Sequence, residues 1–214
     1  MKIEKLHEFH DPEFSQGWAD RFKPTPARLE LFDTILAEVR KLPSDKTKVL
    51  ELGIGPGYLA AYMLAKDANI YYEGLDYAKP MLNIAAKRNE AYKDRLIYTQ
   101  ADLTSKHWDD QVQNQPDAIV STWALHDLFH QDNIFNVYRI AYNILPKGGI
   151  LLNGDFIKPE NSPFEYEGGR IKPSVHLALL MNAGFDTVSI IKELEKNVME
   201  PTTANNYSCF MALK

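Results

Sequence analysis

Three glycines alternate in Leu52-Gly53-Ile54-Gly55-Pro56-Gly57-Tyr58, between an apolar run and a stretch at helical spacing. Glycines at such a strand-to-helix turn let the backbone bend sharply and approach a ligand closely, and the helix start offers free N–H groups to polar or anionic atoms. The spacing departs from the dinucleotide fingerprint G-x-G-x-x-G, whose third glycine would stand at Tyr58, where a side chain obstructs close helix–strand packing. Glu51, just ahead of the first glycine, would meet an amino group more readily than a pyrophosphate. A cationic, phosphate-free ligand fits this turn better. Asp76, about 20 residues beyond the turn, is placed to bind a ribose diol in such a crevice. Asp102, after the next strand-like run, is a second acidic candidate, with a helix cap as its structural alternative.

His126, Asp127 and His130 leave the fourth strand-like run, at the sheet edge where ligands of α/β proteins bind. His126 is a candidate general base, useful when the group it serves must lose a proton, and its structural alternative is a helix-start residue bonding backbone. The string His126-Asp127-Leu128-Phe129-His130 mimics the zinc helix H-E-x-x-H, but Asp reaches less far than Glu and no third ligand stands at a telling spacing, so no metal is expected. Phe14, Trp18 and Phe22 recur at i, i+4, i+8 behind the helix start Asp11-Pro12, as a lid or as core, with Arg21 and Arg28 able to meet a carboxylate. A Pro- and Gly-rich stretch, 159–173, carries Glu165, Tyr166, Glu167 and Arg170, which would line a pocket or stand in a solvated loop. His107 and Trp108 either border the ligand or pack at the surface, and His176 reads as structural.

These residues need a scaffold, and hydrophobic periodicity supplies one. Short apolar runs at 48–52, 70–75, 96–99, 118–121 and 150–152 are too apolar for a sheet with one wet face, and suit parallel strands covered on both sides. Helical patterns lie between them: Leu29, Phe32, Leu36 and Val39; 58–66; 80–92; and Ile134, Val137, Ile140 and Ile144. The alternation is that of an α/β fold. After a last helix ending at Ala183-Gly184-Phe185, the runs 187–194 and 207–213 are joined by a linker too short for a crossover helix, so they pair antiparallel.

Composition narrows the function. The 214 residues are 45% hydrophobic and 25% charged, ordinary for one globular domain. A net charge of −5 argues against affinity built on neutralising phosphates, so nucleic acid is not expected. The start of the chain has no apolar run of the signal-peptide or membrane-span kind, and the single Cys209 suits a reducing compartment, which makes the cytoplasm the expected setting.

The run Glu51, Gly53, Gly55, Gly57 resembles the acidic-x-Gly-x-Gly-x-Gly motif of the class I S-adenosylmethionine-dependent methyltransferases. The resemblance continues in order through Leu75-Asp76-Tyr77-Ala78-Lys79-Pro80-Met81, Ala101-Asp102-Leu103, the strand ending Ser121-Thr122-Trp123-Ala124, and Leu145-Pro146-Lys147-Gly148-Gly149. It implies a Rossmann-like doubly wound sheet of five parallel strands plus a C-terminal antiparallel strand pair, with helices on both faces. One domain would span 1–214, with an N-terminal helical lid over 1–28 and a short acceptor-side insert over 157–174. S-adenosylmethionine would be the cofactor, held by Glu51, Gly53, Gly55, Gly57, Asp76, Tyr77, Met81, Asp102, Leu103 and Thr122. Trp18, Arg21, Trp123, His130, Tyr166 and Arg170 would form the acceptor pocket, and His126 would be the base. A small-molecule acceptor is implied, since the Asn/Asp-Pro-Pro-aromatic motif of adenine-directed nucleic-acid methylation is replaced by Ser121-Thr122-Trp123-Ala124. No membrane partner is expected, and the acceptor atom and oligomeric state stay open. Two alternatives remain: a non-catalytic module binding S-adenosylmethionine or S-adenosylhomocysteine, and an NAD-dependent oxidoreductase, which Tyr58 and Glu51 disfavour.

Overall fold

The apolar runs become seven strands of one sheet: β1 (Thr47–Leu52), β2 (Ile70–Asp76), β3 (Leu96–Gln100), β4 (Ala118–Thr122), β5 (Ile150–Phe156), β6 (Thr187–Leu194) and β7 (Tyr207–Leu213). The computed structural model describes residues 8–194 and 206–214; the first residues of the expected lid and the linker between the last two strands lie outside them. The strand order is β3-β2-β1-β4-β5-β7-β6. The first five strands run parallel, while β7 enters antiparallel between β5 and β6. Strand order reverses between β1 and β4, so a crevice opens beyond their carboxyl ends.

Among the described residues six α-helices accompany the sheet: α1 (Pro12–Arg21), α2 (Pro26–Val39), α3 (Tyr58–Lys66), α4 (Lys79–Arg88), α5 (Gln131–Ile144) and α6 (Pro173–Ala183). Alternate strand residues point to opposite faces, and the core divides accordingly. Val49, Val120 and Leu152 pack with α2, α3 and α4 on one side. Leu50, Ile119 and Leu151 pack with α5 and α6 on the other. α1 begins as its sequence demands, with the Asp11 carboxylate accepting from the Phe14 N–H at 2.8 Å and Pro12 in the first turn.

Several boundaries differ from the apolar pattern, each for a polar reason. β5 runs on through Asn153, Gly154, Asp155 and Phe156, all buried, because the two polar side chains find partners inside the fold. Between β3 and β4 only a short 3-10 turn forms, and the chain there is held by the buried Glu73 carboxylate. Glu73 accepts from the Thr99 hydroxyl at 2.6 Å and from the N–H groups of Gln113 and Asn114 at 2.9 and 3.2 Å. The segment before α6 is closed at its base where the Lys158 N–H donates to the Ile171 carbonyl at 3.2 Å. Its Glu160 caps α6, accepting from the Ser174 N–H at 2.6 Å. The expected insert is thus a tethered loop, placed beside the carboxyl end of β4.

Candidate active site

The glycine turn joins β1 to α3 with Gly53, Gly55 and Gly57 at φ of 72°, 50° and 78°, in the left-handed region that side chains avoid. A Cβ on Gly53 would overlap that of Ala124, so the turn also needs the empty space. Asp76, at the end of β2, secures it. One carboxylate oxygen accepts from the Gly55 N–H and the other from the Ala78 N–H, both at 2.9 Å. Burial pushes the Asp76 carboxyl up to about 6, against those backbone hydrogen bonds and with some help from the Asp127 charge. A ligand whose hydroxyls donate to Asp76 selects the ionised form. Its affinity is therefore expected to be flat above pH 6 and to fall about tenfold per unit below it, an inflection that Asp76→Asn should remove in calorimetric titrations of S-adenosylhomocysteine.

A cleft of about 1120 Å³ opens over these strand ends. Of the residues expected to hold the cofactor, all but Gly57 line it; Gly57 stands behind the wall as the N-cap of α3. Met81 and Leu103 are buried, apolar and suited to a ring face. Asp102 is exposed, and one of its oxygens accepts from the Thr104 N–H and hydroxyl, each at 2.8 Å. These bonds close a local turn, and no helix starts at Asp102 for it to cap, while the residue remains in the wall. Glu51 is 1% exposed and accepts from the Tyr72 hydroxyl at 2.8 Å. Burial holds its carboxyl well above the ordinary range, against that hydrogen bond and reinforced by the Asp76 charge. No cation pairs with Glu51 among the described residues, so a positively charged ligand group placed beside it would favour the ionised carboxylate over the neutral form that burial favours.

α1 lies along the cleft with Phe14, Trp18 and Phe22 turned into it. The Trp18 and Phe22 rings stack at 4.8 Å, Phe9 meets Trp18 edge-on at 5.4 Å, and the Tyr58 hydroxyl ties the helix down by donating to the Ala19 carbonyl at 2.7 Å. Arg21 falls on the outer, exposed side of α1 and does not line the cleft; the arginine that does is Arg28, in the first turn of α2.

Beyond β4 the chain makes a 3-10 turn, Leu125–Leu128, between two non-glycine residues in left-handed backbone, Trp123 at φ 51° and Phe129 at φ 58°. Such backbone persists only where its surroundings enforce it. The turn, broken at Phe129, does not form the zinc-type helix. Instead the His126 Nδ1 lies 2.7 Å from one oxygen of Asp155, whose other oxygen accepts the His126 N–H at 3.0 Å. Asp155 also accepts from the Phe156 N–H at 2.8 Å and is fully buried. The closer and fully buried carboxylate at Nδ1 favours the proton there, so Nε2, 3.3 Å from an Asp127 oxygen, is the nitrogen that would gain and lose the second proton. Burial disfavours the charged ring, but the Asp155 charge and hydrogen bond, with Asp127, outweigh it and Arg170, so the His126 pKa is raised. The apolar-run reading stopped at Leu152 and missed Asp155; the acidic residue near the end of a central strand was the available signal.

The insert packs against this turn. A Cβ on Gly169 would penetrate the His126 carbonyl, and one on Gly168 the Phe129 carbonyl. Gly169→Ala is therefore expected to displace the histidine and reduce turnover by about 100-fold while cofactor affinity holds, as single-turnover assays and calorimetry would show. Arg170 follows into the cleft, buried, 4.3 Å from the Phe156 ring centroid and paired with Glu167. His130, Trp123 and Thr122 line the cleft as expected, whereas Tyr166 does not and stands beside Lys158 instead. His107 is exposed and outside the cleft, and Trp108 is buried in the core. His176 is structural: buried, stacked on Phe210, in contact with the Tyr138 hydroxyl at 2.8 Å, and pushed down to about 4 by burial.

Comparison with known proteins agrees with this geometry. Residues 49–149 match a family profile described as a methyltransferase domain. A release factor glutamine methyltransferase of Lactococcus lactis is 29% identical over 142 residues, 60% of this chain and 50% of that protein, so the chain spans about half the length of this relative. An O-methyltransferase family protein from Burkholderia thailandensis superposes with a TM-score of 0.70 at 16% identity, over 96% of this chain and 60% of that one. Human N-acetylserotonin methyltransferase, solved in complex with its S-adenosylmethionine, gives 0.68 at 15%, over 96% and 57%. At those identities the likeness is one of fold. The domain profile runs from β1 to the start of β5, and the acidic and glycine residues of the first motif stand in the cleft wall or directly behind it, so the segment 49–149 is similar to a methyltransferase domain and the whole chain shares the fold of these methyltransferases.

Proposed function

We propose that the protein transfers a methyl group from S-adenosylmethionine to a small-molecule acceptor, with His126 as general base. The observation that carries this reading is the meeting, in one cleft, of the glycine turn held by Asp76 and a histidine oriented by a buried carboxylate. Asp76 would accept the ribose hydroxyls, Met81 and Leu103 would face the adenine, Asp102 its amine, and Glu51 the positive charge. When bound, the cofactor supplies an electrophilic methyl on sulfur and departs as a neutral thioether. His126 takes the acceptor's proton at Nε2, and Asp155 stabilises the imidazolium that results. The aromatic residues of α1 exclude water from the approach, so alignment and desolvation contribute alongside the base. Tyr58 stands where an NAD site needs a glycine. No helix among the described residues is long and apolar enough to cross a membrane, and a buried Cys209 fits the cytoplasmic setting we infer.

Calorimetric titration with S-adenosylmethionine, S-adenosylhomocysteine and NAD tests the cofactor. Saturable binding of the two sulfur compounds and none of NAD is expected; the reverse pattern, or no binding, overturns the reading. A methyl-transfer screen across small acceptors then separates enzyme from binding module.

A further inference from the structure

Among the described residues, Arg28 is a positive charge in the cleft that no carboxylate answers. Arg28 lines it with the guanidinium 4.5 Å from the Trp123 ring centroid and 5.9 Å from that of Phe22, and donates one hydrogen bond to the Phe22 carbonyl at 3.2 Å. Among the described residues no acid pairs with Arg28, whereas Arg170, the cleft's other arginine, is paired with Glu167. A guanidinium presents its donors as a rigid fork, and with one N–H engaged enough remain to grip a carboxylate through two parallel bonds.

The rings between this cation and the base are continuous. Trp123 meets Tyr207 at 5.5 Å, Tyr207 meets Phe156 at 4.9 Å, and Phe156 meets the His126 ring edge-on at 4.9 Å. Trp123, Phe156 and His126 line the cleft while Tyr207 packs behind them, so an anion receptor and a proton acceptor stand at the two ends of one aromatic cluster, of which Trp123 and Phe156 face the cleft. Trp18 and Phe22 add apolar surface to the same cleft. We propose that the acceptor is an aromatic carboxylic acid bearing an ionisable hydroxyl, its carboxylate on Arg28, its ring against the aromatic wall and its hydroxyl at His126. The carboxylate follows from the unanswered charge, the ring from the wall, and the hydroxyl from the base, this last resting on the methyltransferase reading.

The cofactor's own carboxylate is the competing source, and calorimetry on the full chain separates the two. S-adenosylhomocysteine is titrated into wild type and Arg28→Gln. Affinities within about twofold are expected; a loss of about tenfold or more in the variant would give Arg28 to the cofactor and overturn the proposal. The protein, free and saturated with S-adenosylhomocysteine, is then titrated with 4-hydroxybenzoate, 3-(4-hydroxyphenyl)propionate and 6-hydroxy-2-naphthoate, each beside its neutral amide. At least one acid should bind about tenfold or more tightly than its amide, with the preference abolished in Arg28→Gln and partly kept in Arg28→Lys. No preference for any acid, or one that survives Arg28→Gln, overturns the proposal. A wild type that ignores S-adenosylhomocysteine sinks the cofactor reading instead, and the acid-against-amide contrast in the free protein still decides the role of Arg28.

Discussion

His126→Ala is expected to lower turnover by about 10²- to 10⁴-fold, the range for loss of a positioned general base, while leaving S-adenosylhomocysteine affinity within about twofold. The split follows from placement. His126 lies on the β4 turn and is held by Asp155 of β5, while the glycine turn and Asp76 sit at β1 and β2. The base must be neutral to accept a proton, and its pKa is raised above the ordinary 6.5, so turnover should climb with pH through a midpoint above that value. Asp155→Asn removes the charge that favours imidazolium. The midpoint should then move to lower pH, while turnover at the plateau also falls because the ring loses its favoured tautomer. A merely structural histidine would give neither the shifted limb nor the selective loss of turnover, and equal rates in wild type and His126→Ala would remove the base assignment.

The second large effect is on binding. Asp76→Ala is expected to weaken S-adenosylhomocysteine by about 1–3 kcal/mol, or about 5- to 150-fold, the cost of losing hydrogen bonds to a charged group. The carboxylate has a second duty, since it accepts the Gly55 and Ala78 N–H groups, and alanine leaves both without that partner. Some stability should be lost as well, visible as a lower thermal midpoint. Asp76→Asn separates the roles: its amide oxygen can still accept one N–H, but the charge that favours donor hydroxyls is gone. Unchanged affinity in both variants would refute the ribose assignment.

What sequence shows about this site depends on how local its physics is. The glycine turn was legible because glycine is favoured at each of the three alternating left-handed positions, and Asp76 because its distance along the chain is set by one helix and one strand. The helix carrying Phe14, Trp18 and Phe22 was legible from its cap and its period. The sequence reading put Arg21 in the acceptor pocket, whereas Arg28 lines it, since only the docking of α1 through Tyr58 decides that the first points outward. Asp155 was hidden for a related reason: a buried carboxylate breaks an apolar pattern, and its partner His126 is 29 positions away.

The sequence by itself determined the α/β alternation, the glycine turn and the acidic residues around it, because strand burial, helix capping and backbone conformation are written within a few neighbouring residues. Only the tertiary structure decided which histidine has a carboxylate behind it, which arginine faces the cleft and how the insert packs against the His126 turn. Those pairings join segments far apart in the chain, and their energies depend on burial and on distances of a few ångströms that exist only once the sheet has brought the strand ends together.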